Sequence, residues 1–166
     1  MSFIIGEIKM NIVLKKMSKE EFSIYFEAKV ERYSGILSEN VHEVSSEEPL
    51  SKARVQLNNL LPKGLDTTNH HLFNIHEADQ LIGFVWIKVE KEKKSAFLYE
   101  IFIFEKYRGK GFGTRVMKYV EEWLEHEGIS YFKLHVFGSN EGARRLYKEL
   151  GFEIAGLNML KTINNI

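Results

Sequence analysis

The segment YRGKGFGTR, residues 107–115, constrains the fold of this chain more than any other stretch. It holds three glycines and three cationic side chains, and it separates the β-prone run AFLYEIFIF from the helix-like run RVMKYVEEWLEH. A helix that begins after such a turn presents free N–H groups and the positive end of its dipole at one point. Glycine also lets the backbone approach an anion without an intervening Cβ. This segment, called the glycine loop below, therefore predicts an anion site.

The composition indicates that this anion site is local. The 166 residues include 23 Lys plus Arg and 23 Asp plus Glu. A protein that binds nucleic acid or a membrane surface usually has an excess of basic residues, so this balance argues against both partners. There are no cysteines, which excludes disulfides, thiolate metal sites and a cysteine nucleophile. Neither a membrane-spanning run nor a signal peptide is recognisable, so a cytoplasmic location is expected.

The order of elements predicts a mixed α/β sheet with helices on both faces. Because no linker or repeat divides the chain, residues 1–166 are expected to form a single domain, with residues 1–9 as a dispensable extension before Met10. Capping boxes are predicted at Ser18/Glu21 and Ser45/Glu48. Three aromatic, β-branched runs predict an antiparallel meander, and GFEIAGLNMLK predicts a closing strand. The predicted order is β-α-α-β-β-β-α-β-α-β.

The spacing within the glycine loop excludes two common phosphate motifs. A Walker loop requires Gly-Lys followed by Ser or Thr, whereas Lys110 precedes Gly111. The dinucleotide fingerprint requires G-x-G-x-x-G, whereas these glycines are evenly spaced. The pattern that remains is Arg108-x-x-Gly111-x-Gly113.

That pattern resembles the coenzyme A loop of the GNAT family of N-acetyltransferases. The downstream stretch HVFGSNEGARRLYKELGF is also similar to that family, and the resemblance covers roughly residues 10–162. The stretches LLPKGLDTTNHHLF and GFVWI are most similar to a small bacterial branch known from Bacillus. The resemblance implies the acyl-CoA N-acyltransferase fold. It also implies acetyl transfer from acetyl-CoA to a primary amine of a small molecule or protein, by direct attack on the thioester.

The resemblance also implies where the coenzyme would bind. Backbone groups of Ile101, Phe102 and Ile103 would line the pantetheine arm, with the Ile103 amide facing the thioester carbonyl. Asn140 matches the position that hydrogen-bonds the pantetheine, although an Asn there can equally cap a helix. The expected pyrophosphate contacts are Arg108, Gly109, Lys110, Gly111, Phe112, Gly113 and Thr114.

Three residues are the catalytic candidates. Tyr147 matches the family tyrosine that protonates the leaving thiolate, and it also lies on an apolar helix stripe where it could only pack. The base is left open between Glu100, His135 and water. Glu100 is expected to lie among aromatic rings, which would raise its pKa. His135 stands where some relatives carry Glu, and an imidazole can accept a proton near neutral pH.

The remaining features specify no ligand. Adjacent histidines on a strand point to opposite faces, so His70 and His71 are poor co-ligands, and no metal is expected even with His76 nearby. The segment 34–48 holds four glutamates and no Lys or Arg, so it would favour a cationic amine if it flanked the acceptor. The acceptor is otherwise undefined, and both a monomer and a homodimer are compatible with the sequence.

Three other functions each predict a distinct result. A non-catalytic sensor on the same fold would bind acyl-CoA without transferring the acyl group. A nucleotide-binding module would bind ATP in place of coenzyme A, and an RNA-binding domain would show strongly salt-dependent binding. The failed Walker spacing and the zero net charge disfavour the last two.

Overall fold

The computed structural model describes residues 11–40 and 48–164. It divides into two compact units, one that ends at Leu134 and one that begins at His135. The organisation of residues 1–166 as a single domain stays a prediction. In the first unit the strands are β1 (Ile12–Lys16), β2 (His70–Glu77), β3 (Gln80–Glu90), β4 (Ser95–Ile103) and β5 (Tyr131–Leu134). Its helices are α1 (Lys19–Glu39), α2 (Pro49–Leu60) and α3 (Phe112–His126), and the second unit contains α4 (Glu141–Glu149).

The five strands form one sheet in the order β1-β2-β3-β4-β5. The first three pairings are antiparallel, and β5 joins β4 in parallel. The predicted meander is confirmed: β2 and β3 are joined at Ala78 and Asp79, which both have positive φ (46° and 65°), as a two-residue hairpin turn requires. The prediction of a mixed α/β sheet is therefore confirmed.

The first capping box is present, and the second lies partly outside the described residues. The Ser18 amide donates to Glu21 Oε1 at 2.9 Å, and the Glu21 amide donates to Ser18 Oγ at 3.1 Å, so α1 begins as predicted. Helix α2 instead begins at Pro49, with Glu48 as an N-cap that makes no side-chain cap bond. Proline favours the first helical position because its φ is already helical and its missing N–H would be unpaired there. Ser45 lies outside the described residues.

Helices cover both faces of the sheet, as predicted. On one face, α1 and α2 bury Tyr25, Leu57 and other side chains against Leu72 and Trp86 in one apolar cluster. On the other face, Trp123 of α3 packs edge-on against Phe73, with ring centroids 5.8 Å apart. The buried face of α3 includes Phe112, Val116, Val120 and Leu124.

The predicted closing strand does not form. Residues 152–164 contain no strand, and α4 is the only regular element among the described residues of the second unit. A strand requires a neighbour for its backbone N–H and C=O groups, and residues 135–164 of the second unit contain no other strand. Gly156 and Asn158 also lower the β-propensity of the segment. The predicted element order is therefore correct only up to α4.

Gly83 of β3 is required for the close approach of β3 and β4. A Cβ at this position would lie 2.0 Å from the carbonyl oxygen of Phe102 and 3.1 Å from the Cα of Ile103. Because both are backbone atoms, Gly83→Ala must displace β4, and we expect it to cost about 1–3 kcal/mol of unfolding free energy. Urea unfolding measures this cost.

Gly35→Ala in α1 is the matched control for that substitution. No atom lies within 4 Å of a Cβ at Gly35, and alanine favours a helix interior, so this variant should be more stable by about 0.5–1 kcal/mol. If Gly83→Ala were as stable as the wild type, β4 would be free to move and the close approach would impose no constraint.

Candidate active site

One edge of β4 is only partly paired. Strand β5 pairs with β4 from Ser95 to Leu98, while β4 continues to Ile103. Within the described residues, no strand pairs with this edge of β4 from Tyr99 to Ile103, which we call the open edge. On its other side, β4 pairs with β3 over residues 100–103, and the register skips Tyr99 at a β-bulge. An extended molecule with amide groups could therefore hydrogen-bond to the open edge as an additional strand would.

The directions of the peptide groups identify which residues face the open edge. The Phe104 amide donates to Ile82 of β3 at 2.9 Å, so the carbonyl of Ile103, in the same trans peptide, points away from β3. In an antiparallel pair, residues alternate between bonding the partner strand with both backbone groups and with neither. The backbone groups of Ile101 and Ile103 therefore face the open edge, whereas those of Phe102 face β3.

The glycine loop leads directly from the open edge into α3. Gly111 is the N-cap of this helix, with φ of 83°, and no side chain caps the helix. The first intrahelical bond runs from the Arg115 amide to the Gly111 carbonyl at 3.2 Å. The amides of Phe112, Gly113 and Thr114 are consequently left without helical partners at the positive end of the dipole. These free amides are the groups that the predicted anion site would use, and the site stays a prediction.

The loop side chains contribute unequally. Phe112 is buried and packs edge-on against Tyr107 at 6.3 Å, so it can offer a ligand only its backbone. Arg108 turns back along the chain, and its Nε donates to the Ile103 carbonyl at 2.7 Å. Lys110 and Arg115 are exposed. Arg108 is exposed as well, but its Nε is bonded to Ile103, so Lys110 and Arg115 remain as the cations for an anion at the start of α3.

Glu100 lies at the centre of a buried polar cluster. Its carboxylate accepts hydrogen bonds from Tyr25 Oη at 2.9 Å, Lys29 Nζ at 2.8 Å and Arg32 Nη2 at 2.7 Å. All three donors belong to α1, so these bonds fasten this helix to β4. We refer to Tyr25, Lys29, Arg32 and Glu100 as the Glu100 cluster.

The expected pKa shift of Glu100 is wrong in direction. Burial does raise its pKa, but the charge and hydrogen bonds of Lys29 and Arg32 outweigh burial and hold the pKa below its ordinary value. Burial raises the pKa of Tyr25 well above its ordinary value, and the Glu100 charge beside it adds to that shift. Glu100 is therefore ionised near neutral pH, with lone pairs on both oxygens already engaged.

The other predicted site residues lie in the second unit. Asn140 Oδ1 accepts from the Ala143 amide at 3.1 Å, so Asn140 caps α4, which was one of its two predicted roles. The Tyr147 ring packs edge-on against Phe152, with centroids 5.6 Å apart. The His135 ring packs edge-on against Phe137 at 5.0 Å. Asn140 thus lies at the N-terminus of α4, and Tyr147 lies in the last turn of the same helix.

The histidines of β2 have structural contacts on opposite faces of the sheet, as predicted. His70 Nδ1 accepts from Trp86 Nε1 at 2.9 Å, and His71 packs edge-on against Trp123 at 5.4 Å. Burial, aided by the Lys88 charge, lowers the pKa of His70 to about 4, so this ring is neutral at physiological pH. Within residues 11–40 and 48–164, no group of three or more metal-ligating side chains converges.

The three donors of the Glu100 cluster, Tyr25, Lys29 and Arg32, were not predicted from the sequence. The spacing of these three residues, i, i+4 and i+7, was the available signal, because it places two cations on the buried face of a helix. A buried cation requires a carboxylate partner.

Comparison with known proteins identifies the class of protein. The sequence model of the Acetyltransferase (GNAT) family matches residues 33–152. The chain belongs to this family, and it is an N-acetyltransferase. Enzymes of the family use acetyl-CoA as acetyl donor and act on amine acceptors.

Two Bacillus proteins are similar over nearly the whole chain. An uncharacterised N-acetyltransferase of Bacillus subtilis, YycN, is 32% identical over 93% of this chain and 100% of its own length. A second one, YdgE, is 27% identical over 93% of this chain and 99% of its own length. The predicted resemblance to a Bacillus branch is therefore confirmed.

Solved structures confirm the fold. The crystal structure of Bacillus subtilis YycN superposes with a TM-score of 0.86 at 30% identity, covering 93% of this chain and 99% of that one. The PaiA N-acetyltransferase of Thermoplasma acidophilum, solved with coenzyme A, superposes with a TM-score of 0.64 at 20% identity, covering 90% and 94%. None of the helices in the described part of this chain is long and apolar enough to cross a membrane.

Proposed function

We propose that this enzyme binds acetyl-CoA along the open edge of β4 and at the N-terminus of α3, and transfers the acetyl group directly to a primary amine. The observation that carries this proposal is the continuity of the two features. The backbone groups of Ile101 and Ile103 face an unpaired edge, and the free amides of residues 112–114 follow after one short loop.

The residues present suit the parts of coenzyme A. The pantetheine arm contains two amides, which can pair with the backbone groups of Ile101, since the Ile103 carbonyl already accepts from Arg108. The pyrophosphate suits the free amides at the start of α3, with Lys110 and Arg115 as the nearby cations. When bound, acetyl-CoA supplies an acetyl group activated as a thioester. The Ile103 amide would donate to the carbonyl oxygen of that group, where negative charge develops during attack.

For the proton transfers we propose Tyr147 as the acid and His135 as the base. The Tyr147 hydroxyl would protonate the departing thiolate, since a phenol held close can serve a thiolate. Glu100 is a poor base because three donors from α1 occupy its oxygens and its pKa is lowered. His135, directly or through water, would take the proton from the acceptor ammonium. Glu100 would instead hold α1 on the sheet.

Replacement of Tyr147 tests the proposed acid. We expect Tyr147→Phe to lower kcat by about 100-fold or more, because a positioned acid contributes that much, while Kd for acetyl-CoA stays nearly constant. The assay measures thiol release from acetyl-CoA over a panel of amines, and calorimetry measures coenzyme binding.

Tyr131→Phe is the matched control, since the Tyr131 side chain is exposed on β5 and removing its hydroxyl should change neither quantity. An unchanged kcat in Tyr147→Phe would mean that this ring only packs against Phe152. Binding of acetyl-CoA without transfer to any amine would instead indicate the non-catalytic sensor.

A further inference from the structure

Two guanidinium groups converge on one aromatic ring beside the open edge. Cζ of Arg32, from α1, lies 4.3 Å from the ring centroid of Phe102, and Cζ of Arg108, from the glycine loop, lies 5.1 Å from it. Both distances are within the range of a cation–π contact. Residues distant in sequence thus place two permanent positive charges near the C-terminal end of β4.

The positive charge at this position exceeds the negative charge that balances it. Lys29, Arg32 and Arg108 are cationic, and Glu100 is the carboxylate that pairs with the first two. Within the described residues, Arg108 has no carboxylate in ion-pair range. The balance around Phe102 therefore leaves a surplus of one positive charge on Arg108, whose side chain is exposed and can be reached by an anionic ligand.

Arg32 also has donors that the protein does not use. Its Nη2 donates to Glu100, while its Nε is shielded from solvent and has no hydrogen-bond partner among the described residues. The Arg32 side chain is 22% exposed, so a ligand can reach it. A guanidinium that is partly exposed is suited to a carboxylate, with which it forms charge-assisted hydrogen bonds.

The position of Arg32 and Arg108 around Phe102 relates these two cations to the acceptor. Phe102 is flanked by Ile101 and Ile103, whose backbone groups are proposed to hold the thioester arm, and its ring lies on the α1 face of the sheet with Glu100. We propose that the amine acceptor carries a carboxylate, which Arg32 and Arg108 bind over the face of Phe102. This inference rests on the proposed function, and it defines the acceptor as an amino acid or a peptide with a nearby carboxylate. It contrasts with the cationic acceptor favoured by the acidic segment 34–48.

Matched amine pairs test this inference in the wild-type enzyme. Each pair compares a carboxylate with its uncharged amide, such as lysine with lysinamide, among free amino acids and among short peptides with an acidic residue next to the amino terminus. A third member, cadaverine, is lysine without its carboxylate. We expect kcat/KM to favour the carboxylate at least about tenfold in one of the two sets, as a charge-assisted hydrogen bond implies. The set that responds distinguishes a free amino acid from a peptide.

Substitution of Arg32 then tests the assignment. In Arg32→Gln the carboxylate preference should fall to less than about threefold, and in Arg32→Lys it should be intermediate because the charge remains without the fork. Arg54→Gln removes an exposed guanidinium that pairs with Glu27, and it should leave the preference unchanged. Thermal melting of each variant checks that it is folded.

The outcomes that would overturn the inference are distinct from failure of the proposed function. Equal turnover of carboxylate and amide, or a preference for cadaverine, would contradict it. So would a preference that survives in folded Arg32→Gln, or a tenfold loss of acetyl-CoA affinity in that variant, which would assign Arg32 to the coenzyme. If no amine is acetylated, the N-acetylated carboxylates and their N-acetylated amides are titrated into the protein loaded with coenzyme A. Equal affinity for the two kinds of compound, or no binding of either, would overturn the inference. Absence of acetyl-CoA binding would contradict the proposed function itself.

Discussion

Replacing Gly111 by Asp is expected to weaken acetyl-CoA binding by about 100-fold or more, because two like charges about 4 Å apart near a protein surface repel by about 4 kcal/mol. The new carboxylate would stand at the N-cap of α3, where the free amides and the helix dipole are proposed to hold the pyrophosphate. No protein atom lies within 4 Å of a Cβ at Gly111, so the effect should not come from a clash. Isothermal titration calorimetry with acetyl-CoA measures it.

Two controls separate charge from backbone strain. Gly111→Asn introduces the same strain at φ of 83° without a charge, and it should bind acetyl-CoA better than Gly111→Asp. Gly128→Asp places the same residue at φ of 76° in equally open space beyond the other end of α3, and it should retain binding. Full affinity in a folded Gly111→Asp protein would show that the pyrophosphate does not bind at this helix terminus.

Replacing Glu100 by Gln is expected to reduce the free energy of unfolding by about 3–5 kcal/mol, the usual cost of leaving a buried charge unpaired. The substitution leaves Lys29 and Arg32 without their carboxylate, and Lys29 is almost completely buried. For a chain of this size the loss corresponds to a decrease in Tm of about 10 °C. Urea unfolding and differential scanning calorimetry measure the two quantities.

Glu27→Gln is the control for that substitution. Glu27 pairs with Arg54 at 2.7 Å, but both side chains are largely exposed, so its removal should change the free energy of unfolding little. If Glu100→Gln proved as stable as the wild type and yet inactive, Glu100 would act in catalysis and the base assignment would return to it. A loss of stability with residual activity in the folded fraction agrees with a structural role.

Local signals predicted most of the fold. The reciprocal bonds of Ser18 and Glu21 depend only on residues three apart, so the capping box could be read directly from the sequence. Positive φ at Gly111 and Gly128 likewise follows from residue type and from the adjacent helical pattern. The prediction was wrong at residues 151–161, where an apolar run alone cannot supply a neighbouring strand.

The candidate site, like the fold, was predictable from the sequence only in part. The glycine loop and its helix were predictable because strand, turn and helix are consecutive in the chain. The lowered pKa of Glu100 was not predictable, because its partners Lys29 and Arg32 come from a helix about 70 residues away in the chain. A sequence indicates that a carboxylate lies among aromatic residues, but it does not reveal which cations a distant helix brings to it.

By itself, then, the sequence determined the class of this protein, because its loop motif and element order are local patterns of residue type and spacing. Only the tertiary structure decided the electrostatics around β4. The stacking of Arg32 and Arg108 on Phe102 and the pairing within the Glu100 cluster depend on how α1 docks against the sheet. Electrostatic interactions fall with distance through space and are strengthened by burial, and neither quantity can be read from separation along the chain.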